Sequence, residues 1–280
     1  VSPTELLVGW PHAAESVEWT VEPGDTVRLL KPGTYAVAGR AALDSLTATP
    51  HPAKELTGSI AAFWPREKGK RQTVFRLKLR TPLPASVGDA IDLPGSAAPH
   101  YVVADCDFQD HRARGTRIQS SHGVIENNLF RRLKMAAVSL GPEYVFWRES
   151  GWVEDVIVRN NRIEDCALSP DNVRESCRTL GAISVFGAKE DVKSAEPFAN
   201  ENGRSRVENN RIDGSAVAGI WMRCARDVAV LSNRISRVNL LPSARAGAAT
   251  GFDVQGPIDV RGVPEAAVRD NQAVPNEPQR

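Results

Sequence analysis

Long apolar runs are missing: nothing in the 280-residue sequence approaches the ~20 consecutive apolar residues that cross a bilayer. Net charge is missing too. At +1 the chain has no overall field to draw in nucleic acid, so neither nucleic acid nor a membrane is expected as a partner. Cysteine is scarce, and Cys106, Cys166, Cys177 and Cys224 show neither CxxC spacing nor a histidine at metal-site distance. Free, mostly buried thiols are expected, and no metal or other cofactor. Lysine is scarce beside arginine, at 8 against 27 of the 35 basic residues, a split that a GC-rich genome supplies as readily as a need for planar, bidentate contacts. A GxSxG nucleophile elbow and a glycine-rich phosphate loop are both absent. The opening "VSPTELLVGW" has no basic n-region, no apolar h-region and no initial methionine. The expectation is a secreted or periplasmic bacterial protein whose leader has been removed, or an excised piece of a longer chain.

What is present is a globular composition, 41% hydrophobic and 25% charged, sufficient to bury a core in one or two domains. A repeat organises most of it. The segments "VVADCDF", "VIENNLF", "VIVRNNRI", "RVENNRI", "AVLSNRI" and "AVRDNQA" align with Cys106, Asn128, Asn161, Asn210, Asn233 and Asn271 at equivalent positions. Their separations of 22, 33, 49, 23 and 38 residues describe a unit of 22 or so with insertions of variable length. Apolar residues alternate with period two, so the segments are strands. Asparagine supplies the turn, because its short amide tolerates the left-handed conformation, and stacked copies can form an amide ladder inside a solenoid. These features predict an all-β fold, a right-handed parallel β-helix over 96–280, with loops growing from one face where the repeat lengthens. Cys106 then holds a structural ladder position.

Residues 1–95 lack the asparagine repeat. "TVEPGDTVRLL" and "ASVGDAIDLPG" pair apolar alternation with a Gly-Asp turn, and "VFRLKLRTPLP" alternates as a half-exposed strand does. They predict a small β-barrel or sandwich-like module, N-terminal to the β-helix or inserted in it. "ATPHPAKELTG" and "EKGKRQ" read as loops and "NEPQR" as a fraying terminus.

Two segments gather polar groups that a β-helix does not require. "DCDFQDHRARG" holds Asp105, Asp107, Asp110, His111, Arg112 and Arg114. "LGPEYVFWRESGWVEDV" holds Glu143, Trp147, Arg148, Glu149 and Trp152. Asp110 stands 33 residues before Glu143 and 39 before Glu149, between one and two coils, so these carboxylates could share a face. Two carboxylates across a cleft, with tryptophan to stack on a sugar and arginine to bind hydroxyls, suit glycoside hydrolysis. A separation of ~6.5–9.5 Å leaves room for the water of an inverting reaction. The plainer alternative is that Asp110 and Glu149 bond turn backbone, or pair with Arg112 and Arg148 on a solvated face. His111 and His122 read as turn histidines.

These two segments resemble the central part of the α-1,3-galactosidases of glycoside hydrolase family 110, in the "DHRARG" element, the "VIENNLF" coil and the "FWRESG" element. The resemblance covers 105–166 well, extends loosely through the later repeats and is vague before residue 74. It implies a β-helix with an added β-barrel, metal-independent inverting hydrolysis, and a glycan substrate ending in α-1,3-linked galactose. Asp110 and Glu149 become the leading catalytic carboxylates, with Glu143 and Asp89 as further acidic candidates. Arg112, Arg114, Trp147, Arg148 and Asp107 become sugar-binding residues. One departure is "GPEY", which sets Glu143 one place later than the family pattern.

Two other classes fit a β-helix. A polysaccharide lyase or epimerase needs a calcium-binding carboxylate cluster or a Lys or Arg base, and Lys134 is the single lysine between residues 79 and 188. A non-catalytic glycan-binding solenoid would need the tryptophans and arginines but not the carboxylates. A homo-oligomer is compatible with each reading.

Overall fold

Alternating side chains dictate the first unit. In "TVFRLKL" Phe75, Leu77 and Leu79 are buried in one core while Arg76 is half-buried and Lys78 exposed, so one side of the strand meets that core and the other reaches water along most of its length. The computed structural model describes residues 2–10, 20–50, 73–144, 151–169, 180–187, 199–240 and 254–274. The chain divides into two units, Val1–Ala98 and Pro99–Arg280. In the first, strands β1 (Glu5–Trp10), β2 (Thr26–Leu30), β3 (Val37–Thr49), β4 (Thr73–Leu79) and β5 (Ala90–Asp92) form an antiparallel sheet in the order β1-β4-β3-β2-β5. The long β3 pairs with β2 by its first half and with β4 by its second, and its register slips between Leu43 and Ser45. Such a slip bends the sheet. Val27, Leu29, Leu43, Phe75, Leu77 and Leu93 then share one core. Of the loops read from sequence, 51–72 lies outside the described residues, as does "NEPQR".

The second unit is a parallel β-helix. Its first face stacks Val102–Ala104, Gly123–Glu126, Val156–Arg159, Arg206–Glu208, Ala229–Leu231 and Ala267–Arg269. The second stacks Asp107–Gln109, Leu129–Arg131, Arg162–Cys166, Arg211–Ser215, Arg234–Ser236 and Gln272–Ala273. The third stacks Thr116–Ile118, Val138–Leu140, Gly181–Val185, Ala218–Met222 and Ile258–Asp259. Inward residues from all three build one continuous core, among them Ile125, Phe130, Leu140, Val158, Ile163 and Ile183. Burying each such side chain stabilises the fold by ~1.5–3 kcal/mol.

The expected amide ladder runs along the corner between the first and second faces. Asn128 donates its backbone N–H and its Nδ2 to Asn161 Oδ1, each at 3.0 Å. Asn161 does the same to Asn210, Asn210 to Asn233, and Asn233 to Asn271. Each amide also donates to a first-face carbonyl, as Asn161 does to Ile125 O at 2.9 Å. Cys106 ends the ladder: its N–H donates to Asn128 Oδ1, but its thiol has no amide to pass on. The turn itself belongs to the residue before each ladder position. Asp105, Asn127, Asn160, Asn209, Ser232 and Asp270 hold φ between 54° and 59°. In the Asn-Asn pairs the two roles therefore separate, the first amide taking the left-handed backbone and the second the ladder.

Candidate functional site

On the first and second faces, residues pointing away from the core meet solvent, as Arg206, Arg162, Arg211 and Arg234 do. The third face differs. Strand register aligns Arg117, Ser139, Ser184, Trp221 and Asp259 in one outward row. Ser139 and Ser184 are 0% exposed, Trp221 1% and Asp259 2%. Four of these five outward groups are thus closed from water on this face, and Arg117 is half-buried.

The row is organised by two arginines held over aromatic rings. Arg117 lies 5.2 Å from the Phe186 ring centroid and donates to Ser139 Oγ and Pro142 O. Arg223 lies 5.3 Å from that of Trp221 and donates to Asp259 Oδ1 at 2.9 Å. Arg261 also bonds Asp259, through Nε and Nη2. Burial alone would raise the Asp259 pKa; the bonds from Arg261, from Gln255 N–H and from Arg223 outweigh it and hold it below the ordinary value. Ser184 Oγ donates to Gly181 O and accepts from Gly181 N–H. Planar guanidiniums fixed by stacking are suited to binding sugar hydroxyls or a carboxylate. None of these third-face residues was picked out from sequence. The signal was a serine at the centre of two apolar strands, "VSL" and "ISV".

The candidates read from sequence are dispersed. Glu143 is buried three residues past the third-face strand Val138–Leu140, next to Pro142, whose carbonyl Arg117 engages. Beside it Tyr144 Oη accepts the Trp152 N–H at 2.9 Å, with the two rings edge to face. Asp110 sits at the corner between second and third faces, with φ 56°, exposed, and gripped by Arg132 through Nε–Oδ1 and Nη2–Oδ2 bonds of 2.5 Å. That bond lowers the Asp110 pKa. Asp165 occupies the same corner in the next coil but one and reaches Arg237 at 3.0 Å, so the scaffold repeats this pairing. Asp107 is exposed and accepts from Gln109 Nε2. Arg112 is exposed and Arg114 half-buried. Gly115 of the same segment packs so closely that a Cβ would meet Ala137 O and Phe130, each at 2.5 Å. Asp89 belongs to the first unit, where it accepts from Lys31 Nζ at 2.6 Å and from Ser86 N–H. Trp147, Arg148 and Glu149 lie outside the described residues. Among the described residues no group of three or more His, Cys, Asp or Glu is placed to hold a metal ion.

Comparison with known proteins adds to this geometry. Residues 90–262 match the family model described as "Right handed beta helix region". The chain belongs to the right-handed β-helix family. The chain is also similar to the α-1,3-galactosidase A of Shewanella woodyi, at 26% identity over 186 residues, 65% of this chain and 28% of that relative. Against the α-1,3-galactosidase A of Bacteroides fragilis the identity is 33% over 149 residues, 53% of this chain and 23% of the relative. Against the α-1,3-galactosidase B of Bacteroides thetaiotaomicron it is 36% over 89 residues, 31% and 14%. The kinship with glycoside hydrolase family 110 is distant, and the chain spans about a quarter of the length of the first two relatives.

Proposed function

We propose that the chain is the β-helix portion of an exo-acting glycoside hydrolase that releases terminal α-1,3-linked galactose from glycans by an inverting, two-carboxylate reaction. The observation that carries this reading is the third face, where the outward Ser139, Ser184, Trp221 and Asp259 are closed from water and Arg117 and Arg223 are held over aromatic rings. Beside that buried polar row, the half-buried Arg117 and Arg223 are the groups suited to bond sugar hydroxyls.

Glu143 is the carboxylate that the geometry favours, because it adjoins that row and Arg117. Glu149, six residues further on, is its proposed counterpart. In an inverting reaction one protonates the departing oxygen while the other draws a proton from the attacking water. Asp110 is kept ionised by Arg132, which suits a proton acceptor and not a donor. Trp147 and Arg148 are proposed to border the sugar, with Arg112 and Arg114 on the second-to-third corner contacting more distant parts of the glycan.

The test is turnover of an α-1,3-galactosyl disaccharide by Glu143→Gln, Glu149→Gln and Asp110→Asn. The two glutamine variants are expected to lose at least ~100-fold in kcat, the scale of general acid or base catalysis. Asp110→Asn is expected to lose less than tenfold. Full activity in E143Q would remove the third-face assignment, and a loss in D110N matching that in E149Q would restore Asp110 to the pair.

A further inference from the structure

Charge alternates from coil to coil in the ladders of this fold. Asp110 meets Arg132 at one corner; His122, Asp155 and Arg204 follow one another at a second; Glu126, Arg159 and Glu208 do so on the first face. Two rows of the second face break the pattern, and in one of them Glu164 stands beside Asp213. In the other, register places Arg162 beside Arg211 and Arg211 beside Arg234, three arginines on successive coils of the second face, all exposed. Neighbouring strands lie ~4.8 Å apart, so the guanidiniums recur at about that step. Like charges directly opposite one another destabilise a sheet, and the fold relieves them only in part here, since Arg211 is attracted to Asp213 without bonding it. Arg162 bonds Glu164 at 2.5 Å, while Arg211 and Arg234 make no hydrogen bond or ion pair among the described residues. The nearby acids are engaged elsewhere, Asp213 by Arg237 and Ser236, and Glu208 by Arg206.

We propose that this row is a binding surface for an acidic glycan, with carboxylate or sulfate groups on successive sugars seated against Arg162, Arg211 and Arg234. The choice of a glycan rests on the function proposed above; the choice of an anionic one rests on the row itself. Guanidinium forms planar, bidentate bonds with both anions, and adjacent pairs can share one. Outward positions of the second-face strands carry no aromatic side chain on which bases could stack, and the chain's charge of +1 gives no general attraction for nucleic acid.

Affinity electrophoresis through gels containing polygalacturonate, heparin, neutral galactan or single-stranded oligo-dT tests the surface. The chain is expected to be retarded by polygalacturonate, heparin or both, the stronger identifying the anion, and retardation should fade as salt rises. R211A/R234A should bind about tenfold more weakly, the loss of two exposed charge-assisted contacts. R269A, an exposed arginine outside the row, should bind as the unmodified chain does. Thermal melting of R211A/R234A should be unchanged or raised, and R211A and R234A singly carry the test if the double variant does not fold. Undiminished binding by R211A/R234A, no retardation by either acidic polymer, or equal retardation by oligo-dT would each overturn the proposal. Hydrolysis of a neutral α-galactoside by R211A/R234A should be unchanged. If the unmodified chain binds acidic polymer yet hydrolyses no galactoside, the hydrolase reading fails and the surface stands.

Discussion

Truncating Asn161 to alanine should remove a large part of the β-helix's stability. The side chain is 1% exposed and joins three coils. Its Oδ1 accepts two bonds from Asn128, and its Nδ2 donates to Ile125 O and to Asn210 Oδ1. Alanine leaves the Asn128 N–H and one Nδ2 hydrogen stranded in the interior. Each of the two stranded donors costs ~1–3 kcal/mol, so N161A should destabilise by about 2–6 kcal/mol, against a typical total of ~5–15 kcal/mol. Asn271 supplies the control. It also takes part in four bonds, to Asn233, Val230 and Arg269, but it stands at the last rung and is only half-buried. Water can replace what N271A removes, and that loss should be about 1 kcal/mol. Urea unfolding followed by far-ultraviolet circular dichroism measures both. Equal losses in the two variants, or a loss below about 1 kcal/mol for N161A, would refute the argument that burial of the ladder sets its worth.

Other outcomes follow from the corners and the thiols. Gly214 holds φ 96°, and a Cβ there would meet Asp165 Oδ1 at 2.3 Å, so G214A should cost at least ~2 kcal/mol in the same unfolding assay and weaken the Asp165–Arg237 pair. The Asp155 pKa is lowered first by its bonds from Arg204, against a smaller opposing effect of burial. Its contribution to stability is therefore full above the unfolded-state value and disappears as pH falls through the depressed folded value. Melting temperature should drop in acid below ~pH 4, and R204A should flatten that drop. Cys106 is exposed, whereas burial pushes the Cys166 thiol up to about 12. Ellman's reagent should modify Cys106 in the folded chain and Cys166 only after unfolding, read from single-cysteine variants.

The scaffold was legible because its signals are local. Each coil writes its own asparagine and its own period-two alternation, so insertions do not hide them. The division of labour within Asn127-Asn128 or Asn160-Asn161 was not legible, because both amides suit either role until the backbone turns. Partners that join coils were harder to see. Asp110 finds Arg132 in the next coil, 22 residues on, while Asp165 reaches past the Gly214 coil to Arg237, 72 residues on. Without the register, nothing near Asp110 in sequence announced the Arg132 that engages it. The third-face row was least legible. Ser139 and Ser184 look like ordinary outward residues of short strands, and their burial depends on what covers the face, which no local pattern records.

The central claim is that this β-helix carries a galactosidase site on its third face. Proton NMR of an α-1,3-galactosyl oligosaccharide incubated with the chain tests it most directly, since one spectrum reports linkage cleaved, product and anomer. The account predicts free galactose appearing first as the β-anomer, with E143Q abolishing the signal. First release of the α-anomer, an unsaturated product, or turnover undiminished in E143Q would contradict it.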